Sequence, residues 1–207
     1  MTPEVLYLPG FLGRAEADRL LAVLLALPDF RQERLRMFGR PVDAPRLTAW
    51  YADEGCRYAY SGTVHEAIPW PDDVAALRER VEAEVGVAFN GVLANHYRDG
   101  RDGVGWHSDD EKELGPQPVI ASLSFGAERR FLIRHRTRQD LTHEYVPAHG
   151  SLLVMRGDSQ RHWKHSLPKT KRCHEARVNL SFRRVRASPR ESEPRSPRRS
   201  RSLAHAR

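Results

Sequence analysis

The chain has 207 residues and a formal net charge of +7, and its composition is that of a soluble globular protein with one full hydrophobic core. It lacks a signal-peptide pattern and any apolar run near the roughly 18 residues of a membrane span, so a cytoplasmic protein without membrane association is expected. Cys56 and Cys173 have no C-x-x-C spacing, which argues against a disulfide framework and against a cysteine zinc site.

Two helices and a series of strands are predicted in chain order. A short strand at 5–8 precedes a helix at 14–27, which Pro28 ends, and a second helix covers 72–85 between Pro71 and Gly86. After Gly91 the pattern changes to short apolar or alternating runs that predict strands. These runs indicate an antiparallel sandwich or jelly roll, and they lie at 92–97, 119–125, 130–133, 151–155 and 178–182.

The last 21 residues, 187–207, have a different composition from the rest of the chain. They hold six Arg and two Glu with Ser and Pro, and few apolar side chains, which predicts a disordered tail. A basic tail suits a polyanion such as nucleic acid. A solvated, dispensable extension is the equally weighted alternative.

A His-x-Asp pair, His107 and Asp109, is the first candidate for chemistry. In a strand, residues two apart point to the same face, so the two side chains can reach one metal ion. A second histidine from a distant strand would complete a two-histidine, one-carboxylate triad, the ligand set of non-haem Fe(II). His162 and His165 are both downstream candidates, and the residues alone leave the choice between them open.

The segment 177–183 adds a second signal. Strand alternation places Arg177, Asn179 and Arg183 on one face, and two guanidinium groups on one face suit a dicarboxylate ligand. An exposed strand with ordinary surface arginines is the alternative. Upstream, Asn95 and Tyr97 also share a face and could orient the same ligand.

Together these residues resemble the AlkB-type, Fe(II)- and 2-oxoglutarate-dependent nucleic-acid dioxygenases. The likeness covers most of the body of the chain and is greatest to the branch that repairs alkylated bases in duplex DNA. The motifs that carry it are Asn95-His96-Tyr97-Arg98-Asp99-Gly100, His107-Ser108-Asp109-Asp110-Glu111, Ile120-Ala121-Ser122-Leu123-Ser124-Phe125-Gly126, His149-Gly150-Ser151-Leu152-Leu153, His165-Ser166-Leu167-Pro168 and the segment 177–183.

The resemblance implies a mainly β fold within the α+β class, with a double-stranded β-helix (jelly roll) core at 91–186. The helices and a nucleotide-recognition hairpin region at 1–90 would belong to the same domain. The family's iron ligands fall on His107, Asp109 and His165, which selects His165 over His162. Arg183 would pair with the distal carboxylate of 2-oxoglutarate, and the remaining cosubstrate contacts would be Asn95, Tyr97, Arg177 and Asn179.

The implied reaction is oxidative demethylation of N-alkylated bases such as 1-methyladenine and 3-methylcytosine in DNA, with Fe(II), O2 and 2-oxoglutarate. The hemiaminal formed would release an aldehyde and restore the base. A base within a duplex is out of reach of such a centre, so it would be flipped out of the stack. The expected protein is a monomer, associated with the nucleoid if it is bacterial.

The resemblance also assigns residues to the substrate. Phe38, in the run 36–40, would wedge into the base stack, although ordinary core packing at a turn is the alternative. Tyr60 would stack on the flipped base, while Tyr58 and Glu111 would read its polar edges. Two further assignments concern charged residues: Arg46 as a phosphate contact and Asp110 as a partner that steadies Arg177, each with a solvated surface charge as the alternative.

Two other functions remain open at this stage. One is an oxygenase of the same type that acts on RNA or protein instead of DNA. The other is a non-enzymatic nucleic-acid-binding protein with a vestigial metal site, which the full set of ligands and the cosubstrate arginine disfavour.

Overall fold

In the computed structural model, the described residues are 2–37, 40–56, 58–60 and 63–186, with the main chain alone at 35–37, 58–60 and 63–65. The helices are α1 (Arg14–Leu25), α2 (Asp72–Val85) and the single turn α3 (Ser159–His162), and a 3-10 turn covers Lys112–Leu114. The strands are β1 (Val5–Leu8), β2 (Arg31–Met37), β3 (Arg40–Ala52), β4 (Tyr58–Tyr60), β5 (Thr63–His65), β6 (Gly91–Tyr97), β7 (Val104–His107), β8 (Ile120–Gly126), β9 (Phe131–His135), β10 (Thr142–Tyr145), β11 (Ser151–Met155), β12 (Trp163–Leu167) and β13 (Arg177–Arg183).

Two antiparallel sheets carry the fold. The larger has seven strands in the order β1-β11-β8-β13-β6-β3-β2, and the smaller has four in the order β10-β9-β12-β7. Sequence neighbours are mostly separated in these orders, as in a jelly roll, and the predicted double-stranded β-helix is confirmed. A separate hairpin pairs β4 with β5.

The larger sheet has a different apolar layer on each face. On one face, Leu123, Leu180 and Phe182 pack with Leu20 of α1 and Leu77 of α2. On the other face, Leu93, Ile120 and Leu153 pack with Ile133 and Trp163 of the smaller sheet. Alternation along the strands produces this division, because successive side chains point to opposite faces. The helices therefore cover the outer face, and the inner face is directed at the smaller sheet.

Most predicted elements are confirmed with small shifts at their ends. The helix α2 has the predicted bounds, and Gly86 ends it in the left-handed conformation with φ of 72°. The helix α1 ends at Leu25, two residues before the predicted end. The predicted strands at 5–8 and 151–155 are found as predicted, and those at 92–97, 119–125, 130–133 and 178–182 differ by one or two residues at an end.

The sequence prediction missed the long strand β3 and its partner β2. Pro41 and Pro45 in β3 resemble strand breakers, since proline has no N–H to donate. Pro45 instead lies where the register between β2 and β3 shifts, between the pairs Arg34–Asp43 and Gln32–Leu47. The larger sheet therefore extends across the predicted boundary at residues 90 and 91, because β1, β2 and β3 all precede it.

Within the described ranges 2–37, 40–56, 58–60 and 63–186, every helix is too short or too polar to cross a membrane.

Candidate active site

Three side chains that the sequence prediction selected come together between the two sheets. His107 at the end of β7 lies directly opposite His165 of β12, and their ring centroids are 4.2 Å apart. Asp109 joins them, with its Oδ2 atom 4.0 Å from Nε2 of His165. One ligand atom from each residue lies within 4.8 Å of the others, which is close enough for all three to bind one metal ion.

Hydrogen bonds to the main chain orient two of these groups. Nδ1 of His107 lies 2.8 Å from the carbonyl oxygen of Gly105, which leaves Nε2 available to a metal. The main-chain N–H of Asp109 donates to Oε1 of the buried Gln160 at 2.9 Å. Ser108 between them donates its hydroxyl to the carbonyl oxygen of Trp163 at 2.8 Å. Ser108 and Asp109 are thus fixed by residues 160–163, and His107 by Gly105.

The geometry of the His-x-Asp pair differs from the predicted one. β7 ends at His107, so Asp109 lies in the segment after the strand instead of on the same strand face. The bond to Gln160 and the burial of the Asp109 side chain direct the carboxylate back toward His107. His162, the other downstream candidate, stacks on His135 at the end of α3 and is not part of the triad.

The electrostatics of the triad suit a bound cation. Burial lowers the pKa of His165 to about 3, and His107 adds to this effect. Burial also lowers the pKa of His107, against the attraction of Asp109. Burial raises the pKa of Asp109, but Arg183 and the two histidines outweigh it, so that the pKa lies below its ordinary value. Near neutral pH the site offers two neutral imidazoles and one carboxylate, the protonation states that a metal requires.

The triad lies in a pocket between the sheets. The larger sheet contributes polar side chains from β6 and β13, and apolar side chains from both sheets complete the wall. The five residues predicted to contact the cosubstrate all line this pocket and are buried: Asn95, Tyr97, Arg177, Asn179 and Arg183.

Strand register explains how these five residues meet. Within the larger sheet, Asn179 lies opposite Asn95 and Arg177 lies opposite Tyr97. Nδ2 of Asn179 donates to Oγ of Ser122 at 2.8 Å and to the carbonyl oxygen of Leu123 at 3.1 Å, which fixes its amide. Asn95 and Tyr97 of β6 with Arg177, Asn179 and Arg183 of β13 form a polar row. Because residues two apart on a strand share a face, all five side chains point into the pocket, as the sequence predicted.

The two arginines occupy different ends of the polar row. Nη1 of Arg183 lies 3.7 Å from Oδ1 of Asp109, beside the triad. Arg177 lies six residues earlier on the strand and donates one N–H to Oγ of Ser124 at 2.9 Å. Its Nε and Nη1 atoms are buried without a hydrogen-bond partner among the residues that the structure describes, and burial lowers its pKa to about 10. An unsatisfied buried guanidinium fits an anionic ligand that would complete its hydrogen bonds.

Two of the charged substrate assignments change in the structure. Arg46 on β3 is only 3% exposed and lines the pocket, so it does not serve as a surface contact for phosphate. Asp110 forms an ion pair with Arg136, an exposed contact after the end of β9, and not with Arg177. Glu111 is partly buried just beyond the His-x-Asp segment and is absent from the residues that line the pocket.

The aromatic substrate assignments fall at the edge of what the structure describes. Tyr58 and Tyr60 lie on β4, of which the main chain alone is described, opposite His65 and Thr63 of β5. Phe38 lies outside the described residues, between the ends of β2 and β3. The strands on either side of it are described and pair with each other, with Met37 opposite Arg40.

The sequence prediction missed several residues that shape the site. Gln160 follows no recognisable pattern in the sequence, and only the fold brings it to Asp109. Ser122 and Ser124 belong to the motif Ile120–Gly126, and their spacing of two on β8 places both on one face, where they pair with Ser181 and Asn179 of β13. Phe131 packs its ring 5.4 Å from that of His165 and closes the pocket from the smaller sheet.

A jelly roll that presents two histidines and a carboxylate to a buried pocket defines a class, the non-haem iron oxygenases. The match to family models gives the same class: residues 4–183 match the 2OG-Fe(II) oxygenase superfamily. Fe(II), 2-oxoglutarate and O2 are accordingly its cofactors. The donor set of the triad and the unsatisfied guanidinium of Arg177 fit the metal and the dicarboxylate, respectively.

Curated relatives define the branch. The chain is 42% identical over 183 residues to mouse DNA oxidative demethylase ALKBH2, which covers 84% of this chain and 77% of the mouse protein. It is 41% identical over 191 residues to rat alpha-ketoglutarate-dependent dioxygenase alkB homolog 3, with 88% and 64% covered. The match thus spans slightly less than two thirds of the rat protein. The chain belongs to the AlkB-type 2OG-Fe(II) oxygenases.

Solved structures agree with the fold. The structure of OsALKBH1 superposes with a TM-score of 0.65 at 16% identity, and the match covers 89% of this chain and 99% of that one. A prolyl hydroxylase from Trichoplax adhaerens superposes with a TM-score of 0.63 at 14% identity, with 89% and 84% covered.

Proposed function

We propose that this protein oxidatively removes alkyl groups from N-alkylated bases in DNA, such as 1-methyladenine and 3-methylcytosine, with base flipping from duplex substrates. The observation that carries the proposal is the triad of His107, Asp109 and His165 at one end of a pocket with an unsatisfied buried guanidinium at the other. Support for the substrate class comes from the mouse relative, which is named a DNA oxidative demethylase.

In this proposal the three triad residues hold the iron. When bound, iron and 2-oxoglutarate supply the activation of O2 that oxidises the N-alkyl carbon. The two neutral imidazoles and the carboxylate leave a net positive charge at the metal, which favours an anionic cosubstrate. Gln160 and Gly105 hold Asp109 and His107 in place, so the ligands need little rearrangement when the metal binds.

The positions of the two arginines support a different assignment from the predicted pairing of Arg183 with the distal carboxylate. Arg183 lies against Asp109 and therefore near the metal end of the pocket, whereas the predicted distal carboxylate lies away from the metal. Arg177 is the better partner for the distal carboxylate, because it has two unsatisfied nitrogen atoms. Arg183 would then balance the charge of Asp109 and of the cosubstrate group nearest the metal. Asn95, Tyr97 and Asn179 are left to orient the ligand between the two ends.

Apolar residues give the pocket its second property. Leu93, Ile120 and Leu153 from the larger sheet and Phe131 and Leu167 from the smaller one line it beside the polar row. A lining of this kind excludes water and strengthens the charge interactions of the buried arginines. The alkyl group, and not bulk solvent, would then be the group presented for oxidation.

The hairpins at the N-terminal side would handle the nucleic acid. The β2–β3 hairpin would place Phe38 in the base stack, and the β4–β5 hairpin would bring Tyr58 and Tyr60 to the flipped base. Glu111, close in sequence to Asp109, would favour a base that carries the positive charge of N-methylation. A monomeric, cytoplasmic protein, associated with the nucleoid in a bacterium, stays part of this proposal.

The test is turnover of defined oligonucleotides. Purified protein with Fe(II) and 2-oxoglutarate is incubated separately with duplex DNA, single-stranded DNA and RNA, each of which carries 1-methyladenine or 3-methylcytosine. The masses of the products are measured by mass spectrometry. We expect the duplex DNA to lose one methyl group per modified base, with one succinate formed for each methyl group removed. The His165→Ala variant should lose turnover and keep DNA binding.

Two other results would redirect the proposal. Phe38→Ala should lower activity on duplex DNA more than on single strands. An equal effect on both would reject the role of Phe38 as a wedge in the base stack. Methylated DNA left unchanged while 2-oxoglutarate is consumed would reject DNA as the substrate and favour RNA or protein.

A further inference from the structure

Arg129 lies between β8 and β9, outside the polar row, and is only 3% exposed. We propose that Arg129 is a positioning residue for the cosubstrate, which fixes the wall at the Arg177 end of the pocket and adds a second buried positive charge there. This inference rests on the proposed function, because it concerns the binding of 2-oxoglutarate.

The hydrogen bonds of Arg129 reach three main-chain carbonyls in two segments of the chain. Nη1 donates to the carbonyl oxygen of Asp99 at 3.0 Å, and Nη2 donates to those of Asp102 at 3.0 Å and Pro168 at 2.8 Å. The acceptors come from the loop between β6 and β7 and from the residue that follows β12. One guanidinium therefore links the ends of β6, β7 and β12. The planar guanidinium has several N–H donors in fixed directions, whereas the single ammonium group of a lysine would link the three less well.

Each acceptor lies within two residues of a side chain in the pocket wall. Asp99 follows Tyr97 by two residues, Asp102 precedes Val104 by two, and Pro168 comes directly after Leu167. Tyr97, Val104 and Leu167 all line the pocket. The position of these three side chains thus depends on the main chain that Arg129 holds.

The segments held by Arg129 are packed too closely to adjust freely. The N–H of Gly100 donates to the carbonyl oxygen of Cys173 at 2.9 Å, and that of Thr170 donates to Gly100 at 2.8 Å. A Cβ atom on Gly100 would lie 2.1 Å from the carbonyl oxygen of Thr170, which only glycine avoids. Loss of the central guanidinium would remove the hydrogen bonds that the carbonyl oxygens of Asp102 and Pro168 accept within this packed layer, whereas that of Asp99 also accepts from the N–H of Asp102 at 3.2 Å.

The charge of Arg129 also acts toward the pocket. All its hydrogen bonds within the described part of the chain go to uncharged carbonyls, and none of the ion pairs found there includes it. Its effect reaches Arg177, whose register partner Tyr97 lies two residues before Asp99. Burial is the largest cause of the lowered pKa of Arg177, and repulsion from Arg129 adds to it. A carboxylate bound by Arg177 would relieve this repulsion, so both cations favour a dianionic ligand.

The test compares two variants of Arg129 with a neighbouring control. Arg129→Met removes both the positive charge and the planar set of N–H donors, and Arg129→Lys keeps the charge alone. Arg130→Met is the matched control, because Arg130 is 62% exposed and pairs with Glu144 on the surface. The affinity of 2-oxoglutarate is measured by calorimetry on protein loaded with Mn(II), which binds without turnover. KM and kcat then come from succinate production by the Fe(II) protein.

Arg129→Met should weaken 2-oxoglutarate binding and raise its KM by about tenfold or more, with kcat at saturating 2-oxoglutarate changed much less. Arg129→Lys should fall between this variant and wild type, and Arg130→Met should match wild type. If Arg129→Met does not fold, Arg129→Lys decides alone, and wild-type affinity in it overturns the inference. A loss of about tenfold in kcat in Arg129→Met without a change in its affinity for 2-oxoglutarate also overturns the inference. Absence of 2-oxoglutarate binding by the wild type would instead reject the proposed function.

Discussion

Nη1 of Arg183 lies 3.7 Å from Oδ1 of Asp109, and both residues are almost completely buried, at 2% and 4% exposure. A buried carboxylate is stable only when a cation compensates its charge. Arg183 provides that compensation before any metal binds. The pair therefore links the stability of the fold to the chemistry of the site.

This pair predicts a strong effect on folding. In the metal-free protein, Arg183→Met should lower the free energy of unfolding by on the order of 3 kcal/mol, because Asp109 is left buried and unpaired. Adding Asp109→Asn should restore part of that loss. Urea unfolding of the single and double variants measures both, with the exposed neighbour Arg184→Met as a control. Losses that simply add in the double variant would show that the two charges are not coupled.

The choice of His165 over His162 predicts a difference in metal binding. His165→Ala should abolish stoichiometric binding of Fe(II) or Mn(II), since a triad reduced to two ligands holds the ion weakly. His162→Ala should keep it, because the His162 ring stacks on His135 away from Asp109. Metal content after desalting measures the difference. A metal-free His162→Ala protein with intact fold would contradict the assignment.

Gln160 predicts an indirect effect on the metal. Its Oε1 accepts the main-chain N–H of Asp109, and it is 2% exposed. Gln160→Leu should weaken Mn(II) affinity about tenfold or more, the usual size of the effect when a group that orients a ligand is removed. Ser108→Ala is the control: Ser108 bonds to the carbonyl oxygen of Trp163, and its loss should matter less. An unchanged affinity in Gln160→Leu would mean that the ligand geometry does not depend on this bond.

The lowered pKa of His165 predicts how stability depends on pH. The folded, metal-free protein keeps this imidazole neutral down to a pH of about 3, whereas an unfolded histidine titrates near its ordinary value of about 6.5. The stabilising contribution of neutral His165 is therefore complete above about pH 6.5 and is lost as the pH falls from there toward 3. Between pH 7.5 and 5.5 the wild type should lose about 1 kcal/mol more than His165→Asn. Parallel stability curves from urea unfolding at the two pH values would contradict the prediction.

Much of the site could be predicted from sequence because strand alternation is a local rule. The spacings of Asn95 with Tyr97 and of Arg177 with Asn179 place each pair on one face, whatever the rest of the fold does. The same rule gave the wrong local geometry at Asp109, where the strand had already ended. A rule of alternation holds only within the strand, and the end of β7 has no proline or glycine signal at residues 107–109.

The sequence by itself determined the polar row of β13, the two helices and the candidate ligands, because each depends on spacing along one segment. Only the tertiary structure decided that Arg183 lies beside Asp109, that Arg46 is buried, and that Asp110 pairs with Arg136. These facts depend on which strands become neighbours, and the pairing of β3 with β6 and of β12 with β7 joins residues about 40 or more positions apart. Local sequence patterns determine which side chains share a strand face, and long-range strand pairing determines which groups those side chains contact.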